Sequence, residues 1–92
     1  MKIEFDPVKS EKNARERGLT FDLVAQFDWE TCLTREDTRF PYPELRRVSY
    51  GFIGKRLHVI CHTPIKDGIR VISFRKANEK EVRNYEKEKT AN

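Results

Sequence analysis

The amino-terminal residues carry a strand pattern followed by a helix pattern. Polar and apolar side chains alternate over residues 2–5, which predicts a half-buried strand. Asp6 and Pro7 then mark the start of a helix, because an aspartate caps the first turn and proline is tolerated at the first helical position. The helix is predicted to end at Gly18, since glycine readily adopts the left-handed conformation that closes many helices.

The next part of the chain predicts a second helix, a short strand and a loop. The second helix begins at Thr20, and its core-facing side is formed by residues at helical spacing, namely Phe21, Val24, Ala25 and Phe27. Residues 31–34 have the composition of a strand. A loop continues from there to Glu44, because Pro41 and Pro43 interrupt regular structure.

Three strand-like runs and a last helix follow the prolines. The strands are predicted over residues 47–53, 57–63 and 69–75. The gaps between them are short and contain glycine, which favours antiparallel hairpins. Asn78 and Glu81 have the spacing of a capping box, so a helix is predicted from Glu79 to about Lys89. The element order predicts an α+β fold in which one antiparallel sheet, made of the amino-terminal strand and the carboxy-terminal meander, packs with two amino-terminal helices and one carboxy-terminal helix.

The length is that of a small domain. With 92 residues, of which 37% are hydrophobic, we expect a single domain over residues 1–92. This excludes a multi-domain enzyme, a barrel of parallel strands and a two-lobed cleft. No apolar run approaches the roughly 20 residues that a membrane helix needs, and the amino terminus lacks the apolar stretch of a signal peptide. We therefore expect a cytoplasmic protein that does not associate with membranes.

Charge divides the chain into an acidic half and a basic half. The whole chain has 19 Lys and Arg against 15 Asp and Glu, a net charge of +4. Residues 1–45 hold 7 basic and 10 acidic side chains, a net of −3, whereas residues 46–92 hold 12 and 5, a net of +7. A basic segment of this kind attracts polyanions, but it is equally typical of a solvated face balanced by acidic residues from the other half.

Most enzyme and metal-site motifs are absent from the sequence. There is no GxGxxG, no GKS or GKT phosphate loop and no GxSxG elbow. Cys32 and Cys61 belong to no metal-ligand spacing, and Cys61 has the setting of a small core residue. His58 and His62 are expected on the same side of one strand, because residues of equal parity share a side, but no third metal ligand accompanies them. We therefore expect no cofactor and no metal ion.

Cationic and hydroxyl-bearing side chains concentrate on the last strands. They are Arg47, Tyr50, His62, Thr63, Arg70, Ser73, Arg75 and Lys76. Such a cluster can bind a phosphodiester and stabilise the extra negative charge of a pentavalent phosphorane. RNA cleavage needs little more, because the substrate supplies its own nucleophile, the 2′-hydroxyl, and the protein orients it and moves protons. The structural alternative is that Arg70 and Arg75 are ordinary solvent-facing residues and that Tyr50 belongs to the core.

The carboxy-terminal half resembles a known family. It contains Ile69-Arg70-Val71-Ile72-Ser73-Phe74-Arg75-Lys76-Ala77, then Glu81 and Tyr85-Glu86. This is similar to the BrnT family of type II toxin–antitoxin ribonuclease toxins, whose chains end in an I-R-I-I-S-A-R-x-A stretch, a Glu and a Tyr-Glu. The opening is similar as well, through Phe5-Asp6-Pro7, Lys9, Asn13, Gly18 and Phe21.

Three parts of the sequence depart from the family pattern, and one of them is the segment from Thr34 to Leu45, which does not match closely. Phe74 stands where the family usually has alanine, which places a larger side chain beside the expected site. Glu16-Arg17-Gly18 stands where the family usually has Lys-His-Gly. Arg17 can replace the positive charge of that histidine but not its proton chemistry.

The resemblance implies a RelE-like fold and an endoribonuclease that inhibits translation and growth by degrading RNA. It implies a BrnA-type antitoxin partner, a small ribbon-helix-helix protein through which the complex binds operator DNA, and it leaves open a toxin dimer within that complex. For the site we predict two groups of residues. Phosphate binding and transition-state charge are assigned to Arg47, Arg70, Arg75 and Lys76, and proton transfer or base stacking to Tyr50, His62 or Tyr85.

Two other classes of function remain compatible with the sequence. A nucleic-acid-binding module without catalysis would use the same basic surface, with binding that weakens steeply in salt. A protein-interaction module would use that surface to dock an acidic segment of a partner.

Overall fold

The computed structural model describes residues 1–91, which form five strands and three helical segments. The strands are β1 (Lys2–Glu4), β2 (Leu33–Glu36), β3 (Arg47–Ile53), β4 (Arg56–Ile65) and β5 (Gly68–Lys76). The α-helices are α1 (Pro7–Arg17) and α2 (Glu79–Thr90), and a 3₁₀ helix covers Phe21–Gln26. The α+β class is therefore confirmed.

Hydrogen bonds at the helix ends confirm the predicted boundaries. At the start of α1, the Asp6 carboxylate accepts a bond of 2.9 Å from the Val8 amide, and the helix closes at Gly18 with φ of 73°. At the start of α2, both halves of the capping box are present: Asn78 Oδ1 accepts from the Glu81 amide at 2.8 Å, and Glu81 Oε1 accepts from the Asn78 amide at 3.0 Å. These signals are local, which is why the sequence alone reveals them.

The sheet is mixed, which corrects the prediction that it is entirely antiparallel. Its strand order is β1-β5-β4-β3-β2, and the three pairs from β2 to β5 are antiparallel. The strand β1 pairs in parallel with β5, with Ile3 opposite Ile69. Alternation along residues 2–5 indicates which side chains are buried, but it contains no information about strand direction. The direction follows from the place of α1, which continues from β1 and packs beside β5.

The second helix and the first predicted strand also differ from expectation. The second helix is a 3₁₀ helix with three residues per turn, so Phe21, Val24 and Phe27 share the buried side while Ala25 is exposed. The strand begins two residues later than predicted, at Leu33. The Asp28 side chain accepts bonds from the Glu30 amide and the Thr31 hydroxyl, and this turn excludes Thr31 from the strand.

The two faces of the sheet are covered unequally. One face, called the core face below, packs under α1 and the 3₁₀ helix, with a cluster that includes Phe21, Val24, Ile60 and Phe74. Phe74 is fully buried there, so its bulk fills the core. The other face, called the α2 face, is covered by α2 through a smaller cluster around Leu57 and Tyr85.

A bulge in β5 determines which of its residues share a face. Cys61 of β4 pairs with Ser73, but the next residue, His62, pairs with Val71, so Ile72 has no partner. Strict alternation would place Arg70 and Arg75 on opposite faces. Because the extra residue shifts the alternation, Arg70, Ser73 and Arg75 all lie on the α2 face.

Asn13 connects α1 to the outer edge of β5. Because β1 pairs only with residues 68–70, the Phe74 carbonyl oxygen has no strand partner on that side within the described residues. Asn13 Nδ2 donates to this oxygen and to the Leu19 carbonyl oxygen, each at 2.8 Å. The side chain therefore secures the end of α1 against the sheet.

Replacing Asn13 should destabilise the fold. We expect Asn13→Ala to lower the free energy of unfolding by about 2 to 3 kcal/mol, because two buried carbonyl oxygens lose their donor. Urea unfolding followed by circular dichroism measures the change. Asn84→Ala, at an exposed position of α2, is the matched control and should change it by less than about 0.5 kcal/mol. Equal effects of the two substitutions would contradict the connecting role of Asn13.

Candidate functional site

A cleft lies on the α2 face, where the sheet extends beyond the cover of α2. Its volume is about 450 Å³. Its charged walls are formed by Arg17, Arg35, Arg39 and Arg75 with Glu36, Asp37 and Glu81. Its remaining lining consists of Val48, Tyr50, Val59, Cys61 and Ser73, together with Thr38. Arginines exceed acidic residues by one, so the cleft attracts anions.

Arg75 extends from β5 into this cleft and is held by α2. Its Nη1 and Nη2 donate to the two carboxylate oxygens of Glu81 at 2.7 and 2.8 Å. The hydrogen bond to Glu81 raises the pKa of Arg75, and the same bond lowers the pKa of Glu81. Because Glu81 also caps α2, the helix start fixes the guanidinium in place. Its remaining N–H groups are available to a ligand, since the side chain is still about a third exposed.

Tyr50 and Ser73 supply hydroxyl groups on the same face. Tyr50 of β3 pairs with Val59, which in turn pairs with Arg75, so the three residues form a row across neighbouring strands. Strand spacing puts the backbones of Tyr50 and Arg75 about 10 Å apart. Both hydroxyl groups can donate or accept hydrogen bonds to a ligand that lies across the row.

Arg17 reaches the cleft from the end of α1. The helix lies beside the outer edge of β5, where Asn13 holds it, and its last residue lines the cleft together with Arg75. Arg17 forms no ion pair with any of the residues that the structure describes. Arg17, which stands where the family usually has histidine, is therefore a cleft residue. In the sequence, only this difference from the family pattern indicated it.

Asp37 and Arg39 form the opposite wall, and sequence reasoning did not identify them. Arg39 donates to the Asp37 carboxylate through Nε at 2.9 Å and Nη2 at 2.8 Å. These bonds lower the pKa of Asp37 to about 2, so the carboxylate is charged at neutral pH. The Asp-x-Arg spacing was the available signal, but it is too common to indicate a site.

Two predicted site residues lie on the α2 face outside the lining of the cleft. Arg70 pairs with Glu4 of β1, with 3.1 Å between Arg70 Nη2 and Glu4 Oε1. Tyr85 is buried beneath α2, where its hydroxyl donates to the Thr31 carbonyl oxygen at 2.9 Å and its ring packs edge-on against Phe52. The Tyr85 hydroxyl is thus already engaged in holding α2.

The other three predicted residues lie on the core face. Arg47 pairs with His62, and Lys76 pairs with His58, so these side chains point away from the cleft. His62 is only 3% exposed; its Nε2 lies 2.7 Å from Ser49 Oγ and its ring packs edge-on against Trp29. Burial lowers the pKa of His62 to about 4. Of the seven predicted site residues, the structure brings only Arg75 and Tyr50 together in the cleft.

His58 and His62 share the core face, as equal parity predicts. His58 donates through Nδ1 to the Arg56 carbonyl oxygen at 2.9 Å and packs against Phe74. Among residues 1–91, no three His, Cys, Asp or Glu side chains are grouped so that they could hold a metal ion. Within the same residues, no helix has the length and apolar character needed to cross a membrane.

The cleft offers the chemistry that an RNA phosphodiester requires. A guanidinium presents a planar fork of N–H donors that matches two phosphate oxygens. Arg17, Arg39 and Arg75 line the space from three parts of the chain, and Tyr50 and Ser73 line it as well. Such an arrangement can bind a phosphodiester and stabilise the charge that develops at its phosphorus during displacement.

Comparison with known proteins assigns the chain to a family. Residues 5–81 match the family model described as the ribonuclease toxin BrnT of type II toxin–antitoxin systems. The match begins just after β1, covers α1, all of the meander and the start of α2, and so includes every arginine of the cleft. No curated protein matches the chain.

Proposed function

The chain belongs to the BrnT family of ribonuclease toxins of type II toxin–antitoxin systems, and from this premise we propose that it is a metal-independent endoribonuclease that cleaves RNA in the cleft around Arg75. The observation that carries the proposal is the bidentate Arg75–Glu81 pair in the wall of a cleft that is lined by three further arginines. Family membership implies an RNA substrate and an antitoxin partner.

The proposed reaction is an internal transesterification. The 2′-hydroxyl oxygen attacks the adjacent phosphorus, its proton passes to a base, and the bond from phosphorus to the 5′-oxygen breaks as that oxygen takes up a proton. The products are a 2′,3′-cyclic phosphate and a 5′-hydroxyl end. Arg75 and Arg17 bind the non-bridging oxygens and stabilise the phosphorane, and Tyr50 with Ser73 relays protons through hydrogen bonds.

The other predicted residues have different parts in this proposal. Arg70 lies on the same face as Arg75 and contacts phosphates that flank the cleaved one. Arg47, Lys76 and His62 receive no catalytic part, because a substrate in the cleft would be separated from them by the sheet. Tyr85 acts by holding α2, and with it Glu81, in place.

The partner and the cellular effect belong to the same proposal. The antitoxin is a BrnA-type ribbon-helix-helix protein that covers the cleft, and the complex binds operator DNA through the antitoxin. The toxin acts in the cytoplasm, inhibits translation and growth, and has a RelE-like fold. Support comes from the family match and from the α+β sheet with an open cationic face. The proposal also includes a toxin dimer within the complex, and sedimentation of the complex can test for it.

Purified protein incubated with RNA in EDTA tests the proposal. We expect cleaved strands with cyclic phosphate ends, and no cleavage once a BrnA-type antitoxin that binds this chain is added. Strands that are retarded in a native gel but remain intact would contradict catalysis and favour a binding module. Cleavage only after a divalent ion is restored would contradict metal independence.

Arg17 gives a specific prediction for this site. Arg17→Ala should slow RNA cleavage about tenfold, because an exposed cation contributes on the order of 1.4 kcal/mol to the charge stabilisation. Arg15→Ala is the matched control: Arg15 is exposed on the same helix but pairs with Glu11 and does not line the cleft. Equal rates for the wild-type chain and Arg17→Ala would remove Arg17 from the site.

A further inference from the structure

The loop between β2 and β3 holds one aromatic and one aliphatic side chain in solvent. Phe40 is 65% exposed, and Leu45 in the same loop is 40% exposed. Residues 37–46 are called the aromatic loop here. Single exposed apolar residues are common on protein surfaces, but a ring beside an arginine-lined cleft offers a ligand a flat apolar surface on which to pack.

Local bonds hold the aromatic loop in this shape. Its two ends meet through a bond of 2.7 Å from the Asp37 amide to the Arg46 carbonyl oxygen, and Pro41 and Pro43 restrict the backbone between them. The Arg46 guanidinium lies 4.0 Å from the centre of the Tyr42 ring, and the Phe40 ring meets Tyr42 edge-on at 5.8 Å. The rings are thus ordered in advance, which reduces the entropy lost on binding a ligand.

The aromatic loop adjoins the cleft around Arg75. Asp37, Thr38 and Arg39 line the cleft, and Phe40 is the next residue along the chain. A polynucleotide with one phosphate at Arg75 can therefore place a neighbouring base at the loop. Arg46 already covers one face of the Tyr42 ring, whereas Phe40 is 65% exposed and so presents the more open ring.

We propose that Phe40 and the aromatic loop form a stacking site for an unpaired base of single-stranded RNA beside the cleaved phosphate. Proteins that bind single strands combine cationic grooves with exposed aromatic rings in this way, and stacking of a base on such a ring does not depend on its identity. Bases in a duplex are stacked on each other and cannot enter. The proposal rests on the proposed function and adds to it a preference for single-stranded over double-stranded substrate.

Binding can be measured separately from cleavage. The probe is a short single-stranded RNA with 2′-O-methyl groups, which prevent attack by the 2′-oxygen, and with one fluorescent 2-aminopurine base. We expect fluorescence quenching when the wild-type chain binds, and about tenfold weaker binding without that quenching for Phe40→Ala. Phe40→Leu should behave like Phe40→Ala because it keeps apolar bulk without a ring, whereas Phe40→Trp should bind at least as tightly as the wild-type chain.

Matched controls and substrates make the outcome decisive. Val8→Ala truncates another exposed apolar residue, 72% exposed on α1, and should leave binding unchanged. With RNA that carries free 2′-hydroxyl groups, single strands should be cleaved faster than the matching duplex. Phe40→Ala should reduce the ratio of single-strand to duplex cleavage. Equal binding by Phe40→Ala, Phe40→Leu and the wild-type chain would overturn the stacking site even if RNA is cleaved. Quenching by a wild-type chain that cleaves no RNA would instead overturn the proposed function and leave the stacking site standing.

Discussion

Arg75→Ala should lower the rate of RNA cleavage by about two to three orders of magnitude and abolish growth inhibition. Removal of one donor that stabilises transition-state charge costs on the order of 3 to 4 kcal/mol in comparable sites. Arg75 lines the cleft and is fixed there through two bonds to Glu81. Single-turnover cleavage of a labelled RNA measures the loss.

The Arg75 result needs controls, because this side chain also contacts α2. Arg75→Lys keeps the charge but not the planar fork, so we expect most of the activity to be lost while the fold is retained. Arg83→Ala removes an exposed arginine of α2 that does not line the cleft and should leave the rate unchanged. Arg70→Ala should cost less than tenfold. Full activity in both Arg70→Ala and Arg75→Ala would refute the assignment of this face to phosphate binding.

The free energy of unfolding should fall by roughly 3 kcal/mol as the pH is lowered from about 6.5 to about 4. The cause is His62, because burial lowers its pKa from the ordinary value of 6.5 to about 4 in the folded chain. Between these values the unfolded chain binds a proton at this position and the folded chain does not, so acid favours unfolding. The stabilisation is complete above pH 6.5 and is lost by pH 4.

Urea unfolding at a series of pH values measures this dependence. His62→Gln should unfold more easily at neutral pH, because Ser49 Oγ loses one of its two side-chain partners, but should show a much flatter pH profile in this window. His58→Gln is the companion variant. Burial also lowers the pKa of His58, so this substitution should remove a part of the pH dependence of the free energy of unfolding. The pKa of Asp37 lies near 2, so its contribution is lost below this window. If the free energy of unfolding of His62→Gln fell with pH as steeply as that of the wild-type chain, His62 would not be buried in its neutral form.

Much of the fold follows from short-range signals in the chain. The boundaries of α1 and α2 follow from Asp6, Gly18 and Asn78, whose side chains or backbone act within a few residues. The strand β3 has the predicted bounds, and β4 and β5 extend the predicted runs by one or two residues at their ends. The helical period over residues 21–27 was misjudged, because a 3₁₀ helix and an α-helix share the spacing of three residues and differ at Ala25.

The site followed from the sequence only in part. The basic excess and the motif at Arg75 indicated the right strand, and Tyr50 belongs to the same cleft. Arg39 was missed because its contribution depends on a loop that folds back against β3. His62 looked like a proton carrier because histidine titrates near neutrality, yet its side chain is packed between Trp29 and Ser49 in the core.

The sequence by itself determined the helix ends, the hairpins, the basic second half and the side that His58 and His62 share, because each depends on neighbouring residues or on alternation within one strand. Only the tertiary structure decided that β1 runs parallel to β5, that the bulge at Ile72 brings Arg70 and Arg75 to one face, and that α2 leaves part of this face open. These features arise from contacts between residues far apart in the chain. The physical reason is that alternation divides the residues of a strand between two faces, whereas the packing of helices decides which face meets solvent.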